Sequence, residues 1–90
     1  MLKVRYTAKF KKDLKLILKR GYDPKLFVEV LFLLREGKPL AEKYKDHPLR
    51  GIYTGHRECH ITPDWLLIYK IEDDLLTLSL TRTGTHSDLF

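Results

Sequence analysis

The residues able to do chemistry near neutral pH are crowded into one half of this chain. All four histidines, His47, His56, His60 and His86, lie after residue 44, together with Arg50, Arg57, Arg82, Asp64, Trp65 and Cys59. An imidazole, with an unperturbed pKa of ~6.5, is the side chain best able to take or give a proton near neutrality. Scission of an RNA strand needs a base for the 2′-hydroxyl proton and an acid for the leaving 5′-oxygen. It also needs a cation for the crowded phosphorane. Two histidines, a carboxylate and an arginine form a complete set for that reaction. The plainer reading makes the histidines ordinary surface groups, so their placement must decide.

Trp65-Leu66-Leu67-Ile68 opens an apolar strand, and His60 closes the neighbouring strand across the turn Thr62-Pro63-Asp64. A tight hairpin of this kind sets His60, Asp64 and Trp65 at one rim of a sheet. Alternation with Leu76, Leu78 and Leu80 puts Arg82 on the core-facing side at the end of its strand. There it must meet an anion, either a protein carboxylate or a ligand phosphate. His86 follows Gly84 in a C-terminal segment expected to lie back along the sheet. Trp65 reads either as core or as a base-stacking surface, and Phe90 either as a docked terminus or as a contact. Cys59, opposite His60 in the alternation, reads as a small core residue, and His56 as a solvated side chain.

His56, Cys59 and His60 also resemble zinc ligands on paper. On a strand, however, the Cα atoms of His56 and His60 would stand about 13 Å apart at ~3.3 Å per residue. Two ligands of one ion, each ~2.0–2.1 Å from the metal, cannot be that far apart. C-x-x-C and H-E-x-x-H spacings are absent as well. No metal and no other cofactor is expected.

The elements that position these residues can be read from periodicity. Leu2 to Tyr6 alternates as a strand with one buried face. Thr7 can cap a helix in which Phe10, Leu14, Ile17 and Leu18 form one stripe, with Gly21 ending it. Asp23-Pro24 opens a second helix. Its residues 26–34 are nearly all apolar, so burial on more than one side is expected, and Gly37 and Pro39 stop it. The period then changes to two: a strand over 52–61, the turn at 62–64, a largely buried strand from Trp65 to Ile71, a turn at Glu72-Asp73-Asp74, and a last strand through Leu76, Leu78 and Leu80. His47 falls in a loop bounded by proline. The fold class is therefore α+β, in the order β-α-α-β-β-β, with the helical pair on one face of a mainly antiparallel sheet. The place of the N-terminal strand in that sheet does not follow from the sequence.

Length and composition agree. Ninety residues suit one domain, here 1–90. No apolar run reaches the ~18 residues of a membrane helix, and the N-terminus lacks a secretory pattern, so a soluble protein with no membrane partner is expected. A single cysteine permits no internal disulfide, which fits the cytoplasm. The net charge of +5 and pI near 9.4 point to an anionic partner, nucleic acid above all. The lysines at 9, 11, 12, 15 and 19 form either a wet helix face or a contact for RNA backbone.

Three segments carry a family resemblance: residues 44–51, Tyr-Lys-Asp-His-Pro-Leu-Arg-Gly; residues 57–70, from Arg57-Glu58-Cys59-His60 through Pro63-Asp64-Trp65 to Lys70; and residues 82–90, Arg-Thr-Gly-Thr-His-Ser-Asp-Leu-Phe. Together they resemble the YafQ-type toxins of the RelE/ParE superfamily, the toxic halves of bacterial type II toxin–antitoxin pairs. The resemblance implies a metal-independent endoribonuclease that cuts mRNA in the ribosomal A site and leaves a 2′,3′-cyclic phosphate. It implies a co-encoded antitoxin, acidic and DNA-binding, through which alone the toxin would meet DNA. The functional positions it implies are His47, His60, Asp64, Arg82 and His86, with Trp65 and Phe90 as supporting contacts and Arg50 and Arg57 within the same motifs as substrate contacts. By chemistry, His86 and His60 transfer protons, Asp64 orients a histidine or serves as base, and Arg82 holds the phosphate. His47 reaches the leaving group or positions RNA. The alternative is a toxin-fold or RNA-binding protein that acts by binding without cutting.

Overall fold

The computed structural model describes residues 1–90. Strand β1 (Lys3–Tyr6) leads into helix α1 (Ala8–Lys19), whose first turn is capped by the Thr7 hydroxyl accepting from the Phe10 amide at 2.9 Å. The same hydroxyl donates to the Thr81 carbonyl at 2.8 Å, tying the helix start to the sheet. Gly21, at φ +95°, makes the left-handed exit that a side chain would resist. Helix α2 (Pro24–Arg35) starts as its sequence dictates, with Asp23 as cap and Pro24 in the first turn.

Four strands follow: β2 (His47–Pro48), β3 (Arg57–Thr62), β4 (Trp65–Glu72) and β5 (Thr77–Gly84). A last short helix, α3 (His86–Leu89), follows β5. The sheet order is β1-β5-β4-β3-β2, and every pairing is antiparallel except that of β1 with β5. The N-terminal strand is thus an edge strand laid parallel to the last one.

Helices α1 and α2 cover one face, where Phe10, Ile17, Phe27, Val30 and Leu34 pack on Cys59, Trp65, Leu67, Tyr69, Leu78 and Leu80. The opposite face carries a small cluster of Leu66, Ile68 and Leu89, flanked by Leu49 and Tyr53. Strands buried on both sides read as continuous apolar runs, which is why 65–69 lacks the alternation of a half-wet strand.

Four expectations need correction. The strand expected over 52–61 begins only at Arg57, because Gly51–Tyr53 forms a 3₁₀ turn and a hydrogen-bonded turn through Thr54 and Gly55 follows. His47 lies on a strand rather than a loop, paired with Glu58. Helix α2 is not buried on several sides: Val28 and Phe32 are 57% and 52% exposed. Leu76 takes no part in the buried face of β5, since it sits before the strand in a left-handed turn at φ 48°.

Candidate active site

The sheet register sets the site. Across four strands one lateral row reads His47, Glu58, Ile68, Arg82, and the next reads His60, Leu66, Gly84. Directly opposed residues share a face, so His47, Glu58, His60 and Arg82 stand with Leu66 and Ile68 on the face away from α1 and α2. With strands ~4.8 Å apart, His47 and Arg82 mark the ends of a row about 14 Å wide.

For Arg82 this reverses the expectation from alternation. Tyr69 pairs with Leu80 but Ile68 pairs with Arg82, so Thr81 is an extra residue in β5. A β-bulge of this kind turns the following side chain to the other face. The guanidinium then bends round the β5 edge left open where β1 ends at Tyr6 and reaches Asp13 of α1, its Nε donating to Oδ2 at 2.6 Å and its Nη2 to Oδ1 at 3.1 Å, while the Thr83 amide donates to the same Oδ2. This fork onto Asp13, with burial opposing it and Tyr53 adding a smaller contribution, raises the guanidinium pKa above its usual value. Nη1 takes no part in the fork on Asp13, and the Tyr53 side chain stands beside the guanidinium.

At the other end of the row, His47 Nδ1 lies 2.7 Å from the Lys45 carbonyl and His60 Nδ1 lies 3.3 Å from that of Pro63. A carbonyl only accepts, so both rings carry a proton on Nδ1 and turn Nε2 toward the site. Both Nε2 atoms face Glu58 Oε1, at 3.5 and 3.8 Å. Glu58 is only 5% exposed, and its Oε2 is buried without a hydrogen-bond partner. When protonated, either ring can place its Nε2–H on Glu58. When neutral, it is a base. No group of three or more His, Cys, Asp and Glu side chains is arranged to hold a metal ion.

The tail supplies the remaining groups. Thr85 caps α3 in a capping box with Asp88, and Leu89 anchors the helix in the small cluster. His86 is exposed, with the Phe90 ring 5.1 Å away and tilted 36° to it. Phe90 is 58% exposed and meets Tyr53 edge-on at 6.2 Å. Tyr53 meets His56 edge-on at 6.0 Å. His56 is thus half-buried rather than solvated, with its Nδ1 unpartnered.

The structure does not bring every expected residue together. Trp65 is 0% exposed, and its Nε1 donates to the Thr83 hydroxyl at 2.8 Å, so it is a core residue without access to substrate. Arg57 pairs with Tyr69 on the helical face, and its guanidinium is held by Asp46. It therefore stands across the sheet from the histidines. Asp64 touches no histidine. Its Oδ2 accepts from Tyr22 at 2.6 Å and its Oδ1 from Thr62 at 2.9 Å, and these bonds lower its pKa. Arg50 is exposed and pairs with no carboxylate. Cys59 is fully buried and its thiol is pushed up to about 12, chiefly by burial, so it serves neither as ligand nor as nucleophile.

Two site residues escaped the sequence reading. Glu58 takes the place beside the histidines intended for Asp64. Its signal was available, since residues two apart on a strand share a face and His60 is two away. Tyr53 gave no such signal, being in a turn where periodicity is silent.

Known proteins resemble this chain throughout. The family model described as the bacterial toxin of type II toxin–antitoxin system, YafQ, matches residues 2–90. An mRNA interferase toxin YafQ of Escherichia coli K12 is 46% identical over 88 residues, covering 97% of this chain and 94% of its own length. Among solved structures, a metal-bound toxin from Helicobacter pylori superposes with a TM-score of 0.94 at 50% identity, covering 100% of both chains. The toxin in the E. coli DinJ-YafQ complex gives 0.89 at 43% identity, covering 100% of this chain and 99% of its own.

Proposed function

This chain belongs to the YafQ family of bacterial type II toxin–antitoxin toxins, and from that premise we propose that it is an mRNA-cutting endoribonuclease whose side chains do the chemistry without a metal ion. The observation that carries the reading is the shared face. His60 lies in register with Leu66 and Gly84, and His86 follows Gly84 by two residues, so two imidazoles flank the face onto which Arg82 is turned.

The balanced reaction is short. The 2′-oxygen attacks the adjacent phosphorus as one imidazole takes its proton. The bond from phosphorus to the 5′-oxygen breaks as the other imidazole donates a proton there. The products are a 2′,3′-cyclic phosphate and a 5′-hydroxyl. Arg82 Nη1 binds the phosphorane oxygens. Glu58 holds the His47 and His60 rings, and His47 works at the leaving group or the RNA backbone. Phe90 offers an exposed ring for a base, and Arg50 a free cation for a phosphate. Asp64 works through position, fixing the hairpin that carries His60.

The substrate in this reading is mRNA in the ribosomal A site, and the inhibitor is a co-encoded, acidic, DNA-binding antitoxin that covers the basic rim. Its relatives support the partner class, since the E. coli toxin is known in complex with DinJ. No helix is long and apolar enough to cross a membrane. One relative is described as metal-bound, so the decisive experiment is cleavage in excess EDTA. Activity is expected to persist there and to vanish on RNA with a 2′-deoxy substitution at the cut. Loss in EDTA with recovery on added metal would overturn the metal-free reading.

A further inference from the structure

The turn joining α1 to α2 grips two distant segments of the site. Arg20 reaches Asp88 of α3 with two parallel bonds, Nη1 to Oδ2 at 2.7 Å and Nη2 to Oδ1 at 3.2 Å. Two residues on, the Tyr22 hydroxyl donates to Asp64 Oδ2 at 2.6 Å, and the Tyr22 ring packs edge-on against Trp65 at 5.5 Å. Gly21 between them supplies the left-handed corner that sends these two side chains to separate targets.

We infer that Arg20 and Tyr22 are positioning residues, a two-armed brace that sets the tail bearing His86 and Phe90 against the hairpin bearing His60. The inference rests on the proposed ribonuclease reading. Its physical basis is the weakness of the tail alone. A helix of four residues, His86–Leu89, cannot stand by itself, because nucleating one turn costs more than its few bonds return. Leu89 is its only buried apolar anchor. Besides the edge contact of Phe90 with Tyr53, the remaining hold runs through Asp88, which accepts from the Thr85 amide at 2.8 Å within the capping box and from Arg20 outside it. Gly84 lets the tail turn this tightly: its φ is +155°, and an added Cβ would stand 3.0 Å from Asp88 Cβ.

At the other arm, Asp64 is fixed from both sides by Tyr22 and Thr62. The intervening Pro63 carbonyl is the acceptor for His60 Nδ1. The hydroxyl of Tyr22 therefore acts on the orientation of His60 through a single turn. Bidentate Arg–carboxylate geometry resists rotation as well as separation, which suits a brace better than a single contact would.

The test uses the full chain, labelled with 15N. Arg20→Ala is expected to lower the single-turnover cleavage rate about 10–100-fold, the scale of a small misplacement of a reacting group. RNA affinity is expected to stay within about twofold, since Arg20 lies in the brace and not on the substrate. The amides of Leu89 and Phe90 should lose heteronuclear NOE and exchange protection while the sheet amides keep theirs. Arg20→Lys, which retains one bond of the fork, should fall between. Tyr22→Phe, which removes only the hydroxyl, should shift the Thr62–Asp64 amides and the His60 ring resonances and slow cleavage. An ordered tail in Arg20→Ala would overturn the inference, and so would an unchanged cleavage rate with a disordered tail. Should the parent protein cut no RNA, the ribonuclease reading fails, and tail order in Arg20→Ala alone then judges the brace.

Discussion

Ile68 pairs with Arg82 across β4 and β5, although the next pair along is Tyr69 with Leu80, so one residue of β5 has no opposite number. That single inserted residue, Thr81, delivers the arginine to the histidine-bearing face and sets its fork on Asp13.

Arg82→Ala should therefore lose both transition-state binding and a structural tie. Cleavage is expected to fall about 10²–10³-fold, as when one preorganised donor to the developing charge is removed. Stability should fall by about 1 kcal/mol, a drop in Tm on the order of 4–8 °C for a chain of this size. Arg82→Lys should restore little, since an ammonium cannot fork onto Asp13 and still reach a phosphate. Single-turnover assays and thermal melts on both variants check this. A Lys variant with parental activity would refute the role of the fork.

His86→Ala should abolish cleavage and growth arrest with the fold intact. The side chain is exposed at the start of a terminal helix, so its removal leaves no cavity. Loss of one general acid or base typically costs ~10²–10⁴-fold. His56→Gln is the comparison. It should stay within roughly threefold of the parent rate, well short of the ~10²–10⁴-fold expected for a proton-transfer group, while its melting temperature shifts, because His56 is packed on Tyr53. Parental growth arrest by His86→Ala at equal expression would defeat the catalytic assignment.

Glu58→Gln is expected to move stability and activity in opposite directions. A buried carboxylate with an unpartnered oxygen costs folding energy, and an amide of the same shape removes the charge. The melting temperature should hold or rise, while cleavage falls at least about tenfold as His47 and His60 lose their shared acceptor. Melts beside cleavage rates decide it. A less stable but fully active variant would show that Glu58 serves the fold alone.

Acid should loosen the tail through Asp88. Arg20, and after it the Thr85 amide, hold the Asp88 carboxyl down at about 2. With the folded pKa below the unfolded value of ~3.9, the unfolded chain binds more protons between them, so stability rises with pH there. The contribution is complete above about pH 4 and is lost as pH falls toward 2. The pair is largely open to solvent, so the effect is modest and shrinks with salt. Plots of Tm against pH from 2 to 5 should be flatter for Asp88→Asn than for the parent. Parallel curves would remove Asp88 from the acid response.

Much of this protein was legible in the order of its residues, because the responsible forces are local. Thr7 and Asp23 cap helices through amides two or three residues away. The 3.6 and 2.0 periods of Phe10–Ile17 and of Leu78–Leu80 report which face is buried, and the turn residues around Pro63 mark the β3–β4 hairpin. Of the residues proposed for the site, His60, Arg82 and His86 stood out by type and placement, and His47 and Phe90 through the family resemblance. What the tertiary structure decided depends on partners far away in sequence. Alternation alone sends Arg82 into the core beneath the helices, and only the pairing of β5 with β4 shows the inserted Thr81 that moves it to the other face, from which its guanidinium still reaches Asp13 of α1. Asp64 is only four residues from the hairpin histidine His60, yet a tyrosine 42 residues away claims its carboxylate. Alternation along β3 already puts Arg57 and Glu58 on opposite faces, but only the folded chain brings Asp46 to the one and His47 to the other. Pairing register and long-range ion pairs are settled by the global packing that closes the sheet, and no window of local sequence contains both partners.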